Sequence, residues 1–370
     1  MSFEAVLRWE DGQATHRERL ILPEWALATD ATLIQARAAM ASLPQVTRDP
    51  QPWITPVGLP PHTLPRQDFR LGIAPIPGRH YPRQAFHGLA EGRRDLRPCR
   101  LLACDGTRLV VDLNHPLAGR AVQLTLQAST QEAAASRFPE LFAGPGMQAP
   151  PNQADACYLP EGALSRGDEA PDAVFYGRPR LVHHLDAACR GALAQLYARF
   201  LEPGARVLDI MSSWESHLPE SPADLNVTGL GMNAAELAAN PRLSKRVVHD
   251  LNRVPQLPFA DGRFDLVLCT ASVEYLANPA AVFAEVRRVL RPGGQFVVTF
   301  SDRWFPTKAI RVWGELHPFE RLGLVRWLLE QAGFTGLHTE TLRGLRRPVD
   351  DPYAGQRDFS DPLFAAWGSA

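Results

Sequence analysis

From Leu185 the apolar residues fall at 185, 189, 192, 193, 196 and 200, the spacing of one face of a helix, and "EPG" at 202–204 closes it. Five short runs follow: "RVLDI" at 206–210, "VTGLGM" at 227–232, "RVVHDL" at 246–251, "FDLVLCT" at 264–270 and "QFVVTF" at 295–300. Each is apolar on successive residues, the pattern of strands covered on both faces. "PAAVFAEVRRVL" at 279–290 has helical spacing and is stopped by Gly293 and Gly294. After "ERLGLVRWLLEQAGF" come "LHTETLRGL" and "PLFAAWGSA", two closing strands with no obvious helix between them. Strand alternating with helix predicts an α/β, Rossmann-like parallel sheet with right-handed crossovers.

The front of the chain has a different rhythm. "EAVLRWEDGQATHRERLIL" reads as two strands around Asp11-Gly12, a hairpin signal. "RPCRLLACDGTRLVVDLNHPLAGRAVQLTLQ", 97–127, gives a second hairpin at Asp105-Gly106, a Pro-containing loop and a last strand. "TLIQARAAMASL" at 32–43 is the one helix this region predicts. The expectation is a mostly antiparallel β domain (α+β) over 1–145, an aperiodic linker or lid over 146–178, and the α/β domain over 179–370. The front domain, cut near 145, is expected to fold alone.

Length agrees with this division, since 370 residues exceed what one hydrophobic core usually serves. The 45% apolar and 21% charged content is that of a globular chain. A net charge of -1 gives no electrostatic footprint for nucleic acid or an anionic membrane. Lys occurs only at Lys245 and Lys308 beside many Arg, a mark of base composition, not of an Arg-built surface. Cys99 and Cys104 lack CxxC spacing and a His partner, so no zinc or other metal site is expected. With no leader pattern and no membrane-length apolar run, the expected location is the cytoplasm.

In such a sheet ligands bind beyond the carboxyl ends of the strands. Those ends are Asp209, the 230–233 turn, Asp250 and the 270–275 turn. Here "LPFADGRFDLVLCTASVEYL" (257–276) and "EVRRVLRPGGQFVVTFS" (285–301) resemble class I S-adenosylmethionine-dependent methyltransferases of the type 11 kind, over roughly 180–370. The resemblance implies S-adenosyl-L-methionine as cofactor. It places Asp209, Met211, Ser212 and Ser213 against the amino acid part, and Gly231, Met232 and Asn233 at the ribose. It puts Asp250 at the adenine amino group, Leu251 beside the ring, and Thr270 to Ser272 on the floor. Two departures stand out: the loop "MSSW" lacks the usual glycines, and Gly231 stands where an acid usually holds the ribose. "SSWESHLP" with "GLGMNAAELAANP" resembles a variant signature among methyltransferase-like proteins. Ser212, Ser213 and Asn233 would then supply hydrogen bonds in place of backbone access, while Trp214 braces the loop. The alternative is a cofactor site that has lost its ligand.

No residue identifies itself as a catalytic base. His183, His184 and Asp186 either face the methyl group from an N-terminal lid or form a solvated helix entrance, and in-line positioning alone can carry methyl transfer. In the front domain, "VVDLNHPLAGRAVQLTL" (110–126) resembles SlyD-like FKBP-type prolyl isomerases, and "LPRQDF" (64–69) resembles that family's flap segment. By that resemblance His115, Pro116 and Leu117 would lie at a prolyl pocket whose aromatics the sequence does not place, Trp25, Trp53 and Phe69 being the candidates; the alternative is a loop that merely closes a β-sheet, with the isomerase activity gone. The leading expectation is a bacterial methyltransferase with an FKBP-like module, acting on an unknown small-molecule or protein acceptor. The alternative is a peptidyl-prolyl cis-trans isomerase or chaperone whose second domain is a non-catalytic binding platform.

Overall fold

A computed structural model of the chain describes residues 1–28, 51–53, 58–91, 95–135 and 157–370. The predicted helix at 32–43 lies outside the described residues. The front strands are β1 (Ser2–Glu10), β2 (Ala14–Pro23), β3 (Gln51–Trp53), β4 (His62–Pro65), β5 (His80–Pro82), β6 (Pro98–Cys104), β7 (Arg108–Asp112) and β8 (Val122–Ser129). The later ones are β9 (Arg206–Ile210), β10 (Asn226–Gly231), β11 (Lys245–Val248), β12 (Phe264–Thr270), β13 (Leu290–Phe300), β14 (Thr335–Arg343) and β15 (Leu363–Ser369). The α-helices are α1 (Asp172–Phe175), α2 (Ala187–Tyr197), α3 (Ala234–Ala239), α4 (Pro279–Val289), α5 (Arg311–Glu315) and α6 (Pro318–Gln331).

One long sheet runs in the order β11-β10-β9-β12-β13-β15-β14-β2-β1-β8-β3. From β11 to β13 the pairs are parallel, and β15 lies antiparallel between β13 and β14. The order reverses between β9 and β12, which is where a crevice opens in such sheets. Apolar side chains cover both faces. Leu208, Val267, Phe283 and Phe296 lie in one core, and Val207, Leu266, Leu193 and Tyr197 in the other. This two-sided burial is what the successive apolar runs required.

Both predicted hairpins are present. At the first, Asp11 accepts from the Gln13 and Ala14 amides, and Gly12 takes a left-handed φ of 89°. At the second, Asp105 does the same for Thr107 and Arg108. The expected boundary between 145 and 179 is nevertheless not a break in the sheet. Strand β2 pairs in parallel with β14, from Leu337↔Ala14 to Arg343↔Leu20. The seam carries buried polar partners: His16 with Thr339 at 2.7 Å, and Glu18 accepting from Thr341 and Arg343. The front strands are thus not one self-contained unit. Strands β1, β2, β3 and β8 extend the long sheet, while β4-β7-β6-β5 form a small antiparallel sheet around Tyr81, Phe86, Leu101 and Val111. That sheet docks on the second half through Arg79, fully buried against Glu315 at 3.0 Å, and the His80 amide, which donates to Glu320. A front fragment ending at 145 would leave β2 without its β14 partner, against the expectation that it folds alone.

The segment that resembles a prolyl-pocket loop lies against a core. Leu117 is fully buried among Leu7, Leu20 and Leu124, and the His115 ring accepts from the Leu117 amide. The loop therefore closes a core. Phe69 packs on Tyr81 and Phe86 in the small sheet, whereas Trp25 lies just beyond β2 and is 37% exposed. The Trp53 side chain lies outside the described residues.

Candidate functional site

The loop after β9 is held by side chains where glycines would have given it freedom. Met211 takes a φ of 55°, a left-handed conformation that costs an ordinary side chain energy. Asp209 compensates from the strand end: its Oδ2 accepts from Ser212 Oγ at 2.6 Å and Ser216 Oγ at 2.7 Å. Asn240, at the end of α3, donates to the Ser213 carbonyl and to Ser216 Oγ, both at 2.9 Å. Burial pushes the Asp209 carboxyl up to about 6, against the pull of its two serine donors.

This tight loop explains the missing acid at the end of β10. The Ser212 amide donates to the Leu230 carbonyl, and a β-carbon on Gly231 would lie 2.1 Å from the Ser212 carbonyl oxygen. No side chain fits at 231. Asn233 does not stand in for it freely either, because it is the N-cap of α3. Its Oδ1 accepts from the Ala235 and Glu236 amides, and its Nδ2 donates to the Tyr176 and Gly177 carbonyls. The carboxylate present is Glu236, whose Oε2 accepts from Ser213 Oγ at 2.7 Å.

Beyond β11, Asp250 Oδ1 accepts from the Asn252 and Arg253 amides, and its second oxygen has no partner among the described residues. Leu251 is buried beside it. Asn252 links three walls, donating to Asp172 and the Tyr275 carbonyl and accepting from the Ala277 amide. At the end of β12, Thr270 Oγ1 meets the Tyr197 hydroxyl at 2.6 Å, and Ser272 Oγ donates to the Thr270 carbonyl.

A strap, residues 157–185, covers this end of the sheet. Arg166 donates twice to Asp172, and the fully buried Lys308 ammonium reaches Asp168, Asp172 and the Ala170 carbonyl. The strap brings Tyr176, His183 and His184 over the strand ends. The Tyr176 hydroxyl is buried without a hydrogen-bond partner among the described residues. Trp214 Nε1 donates to the Val182 carbonyl and its ring packs on His183, so the tryptophan ties loop to strap.

Together these walls enclose a cavity of about 250 Å³. All eleven expected cofactor positions line it: Asp209, Met211, Ser212, Ser213, Gly231, Met232, Asn233, Asp250, Leu251, Thr270 and Ser272. Of these, Asp209, Ser212 and Asn233 have their hydrogen bonds directed largely into the protein. His183 and His184 also face the cavity, whereas Asp186 is buried and caps α2 through the Cys189 amide. Sequence reasoning missed Glu215, Glu236, Arg303, Trp304 and Phe305. Glu236 had a signal, an Asn-x-x-Glu spacing at a helix start; the others had none.

The order β11-β10-β9-β12-β13-β15-β14, with β15 antiparallel and a cavity at the carboxyl ends of β9 to β12, is a doubly wound α/β sheet with its crevice at the switch in strand order. Residues 215–298 match the family described as "Methyltransferase domain". The chain is 33% identical over 105 residues to a demethylmenaquinone methyltransferase of Renibacterium salmoninarum, covering 28% of this chain and 44% of that one. It is 30% identical over 148 residues to a namesake from Beutenbergia cavernae, covering 39% and 58%. It is 33% identical over 107 residues to a ubiquinone biosynthesis O-methyltransferase of Pseudomonas aeruginosa, covering 27% and 46%. The chain thus spans about half the length of these relatives. Among solved structures, a methyltransferase complexed with its Trm112 activator from Haloferax volcanii shares 20% identity over 49% of this chain and 90% of that one, at a TM-score of 0.37. A methyltransferase from Thermotoga maritima shares 15% over 49% and 89%, at 0.35.

Proposed function

We propose that the protein is an S-adenosylmethionine-dependent methyltransferase acting on a small aromatic acceptor. The observation that carries this reading is the convergence of four strand ends, with all eleven expected cofactor positions, on one cavity. Its features suit the cofactor. The unpartnered oxygen of Asp250 can accept from an adenine amino group, and Leu251 offers an apolar face beside it. When bound, S-adenosylmethionine supplies an electrophilic methyl group on a sulfonium. The chain's own part is to hold donor and acceptor in line and to exclude water. Ordered side-chain bonds from Asp209 and Asn240 make the glycine-free loop a built structure, which favours a specialised site over a lost one.

The acceptor reading rests on an aromatic cluster in the same lining. Tyr176, Tyr275, Trp304 and Phe305 line it, with Phe305 5.4 Å from the His184 ring and 6.0 Å from Tyr275. Flat apolar surfaces suit a planar ring, in keeping with relatives named for quinone substrates. No helix among the described residues is long and apolar enough to cross a membrane, and all five cysteines are unpaired. A cytoplasmic location belongs to the same proposal, as does the lack of a nucleic-acid or membrane partner, which rests on the net charge of -1.

Calorimetric titration with S-adenosylmethionine and S-adenosylhomocysteine tests the reading, and both are expected to bind at one site. Asp250→Asn keeps the turn but removes the charged acceptor, and should weaken binding by about 1–2 kcal/mol, roughly tenfold. Absence of binding by the unaltered protein overturns the methyltransferase reading. Unchanged affinity in the variant removes Asp250 from the site.

A further inference from the structure

The cavity holds a histidine oriented by a carboxylate. The His183 Nδ1 lies 2.8 Å from Glu215 Oε2, and the ring packs on Trp214 at 4.7 Å between centroids. Its side chain is 42% exposed, open toward the cavity that both residues line. A carboxylate at Nδ1 fixes the tautomer: that nitrogen carries the hydrogen, and Nε2 keeps its lone pair. Nε2 has no partner among the described residues. The same carboxylate stabilises the ring once it takes a second proton.

Glu215 is itself set up for that role. His217 stands 3.5 Å from its Oε2 and Arg190 3.6 Å. The neighbouring His217 above all, and then Arg190, hold its carboxyl down to about 2. Of the two imidazoles, His183 is the one at hydrogen-bond distance. Next in the chain, His184 packs edge-on against Phe305, so the dyad stands beside the aromatic wall. Arg180 and Arg303 line the same cavity, as do the carboxyl groups of Asp172, Asp209, Glu236 and Asp250.

Resting on the methyltransferase reading, we propose that His183, positioned by Glu215, is the general base of an O-methyl transfer to a phenolic acceptor. The phenol proton passes to His183 Nε2 as the phenol oxygen bonds to the methyl carbon. The electron pair of the carbon–sulfur bond stays on sulfur, giving S-adenosylhomocysteine and an aryl methyl ether. The imidazolium, paired with Glu215, then returns its proton to water. An acceptor with no ionisable hydroxyl would leave the dyad without a task.

The experiment uses 4-nitrophenol, whose ionised form absorbs in the visible, with the full chain saturated by S-adenosylhomocysteine. In the unaltered protein the ionisation midpoint of the bound probe should fall by about one pH unit, because proton transfer to His183 favours the phenolate. His183→Gln should abolish the shift, and Glu215→Gln should reduce it. Melting temperature and S-adenosylhomocysteine affinity are measured for each variant, and the shift is compared between folded proteins saturated with that ligand. No spectral shift in the unaltered protein, or a full shift in His183→Gln, overturns the proposal. Failure of S-adenosylhomocysteine to bind overturns the methyltransferase reading instead, so the two failures are told apart.

Discussion

Asp209 shows how one residue type serves a purpose its position alone does not reveal. Its place at the end of β9 was legible in the sequence, but its contacts run inward to Ser212 and Ser216 rather than out to the cavity. Its folded-state carboxyl is raised to about 6 by burial, above the ordinary value of 3.8. A raised acid binds its proton more tightly when folded, so the chain loses stability as pH rises from about 4 to about 6. The penalty stays above that window, on the order of 2–3 kcal/mol. Asp209→Asn keeps an acceptor for the serines and removes the buried charge. Melting curves from pH 4 to 8 should therefore be flatter in this pH window for the variant, with equal or higher stability at pH 8. An identical pH profile in both proteins would contradict this account. Glu215 and Glu236 were not legible in the same way, because Glu215's partner His183 is 32 residues distant, and the Arg180 amide that binds Glu236 is 56.

At the scale of elements, periodicity and turn chemistry are local, and several of their predictions are met among the described residues. Helix α2 begins near Leu185, α4 spans Pro279–Val289, and both Asp-Gly hairpins turn where expected. The pairing of β2 with β14 joins residues more than 300 apart, and no local pattern announces it. Alternation along β2 hinted at one polar face, yet nothing in "ATHRERLIL" named Thr339 or Thr341 as its counterparts. Without the front strands, β14 would present an unpaired edge with buried polar groups uncovered, an invitation to self-association. A chain beginning at residue 157 should therefore elute as oligomers and melt below the full protein. A monomer of unchanged melting temperature would show that the seam adds no stability.

For the molecule as a whole, the strap over the strand ends is fastened to the body by Lys308. This is one of only two lysines in the chain, and its side chain is fully buried. Lys245, the other, lies exposed at the start of β11. That contrast turns a structural clasp into a chemical clock. An amine-acylating reagent should mark Lys245 and the amino terminus at once, while Lys308 gains its acyl mass only as fast as the strap lifts. Mass spectrometry of the Lys308 peptide over time would thus read the opening rate directly, and saturating S-adenosylhomocysteine should slow it. Immediate labelling of all three amines would mean that the clasp does not hold. Slow labelling, unchanged by ligand, would mean that binding and opening proceed independently.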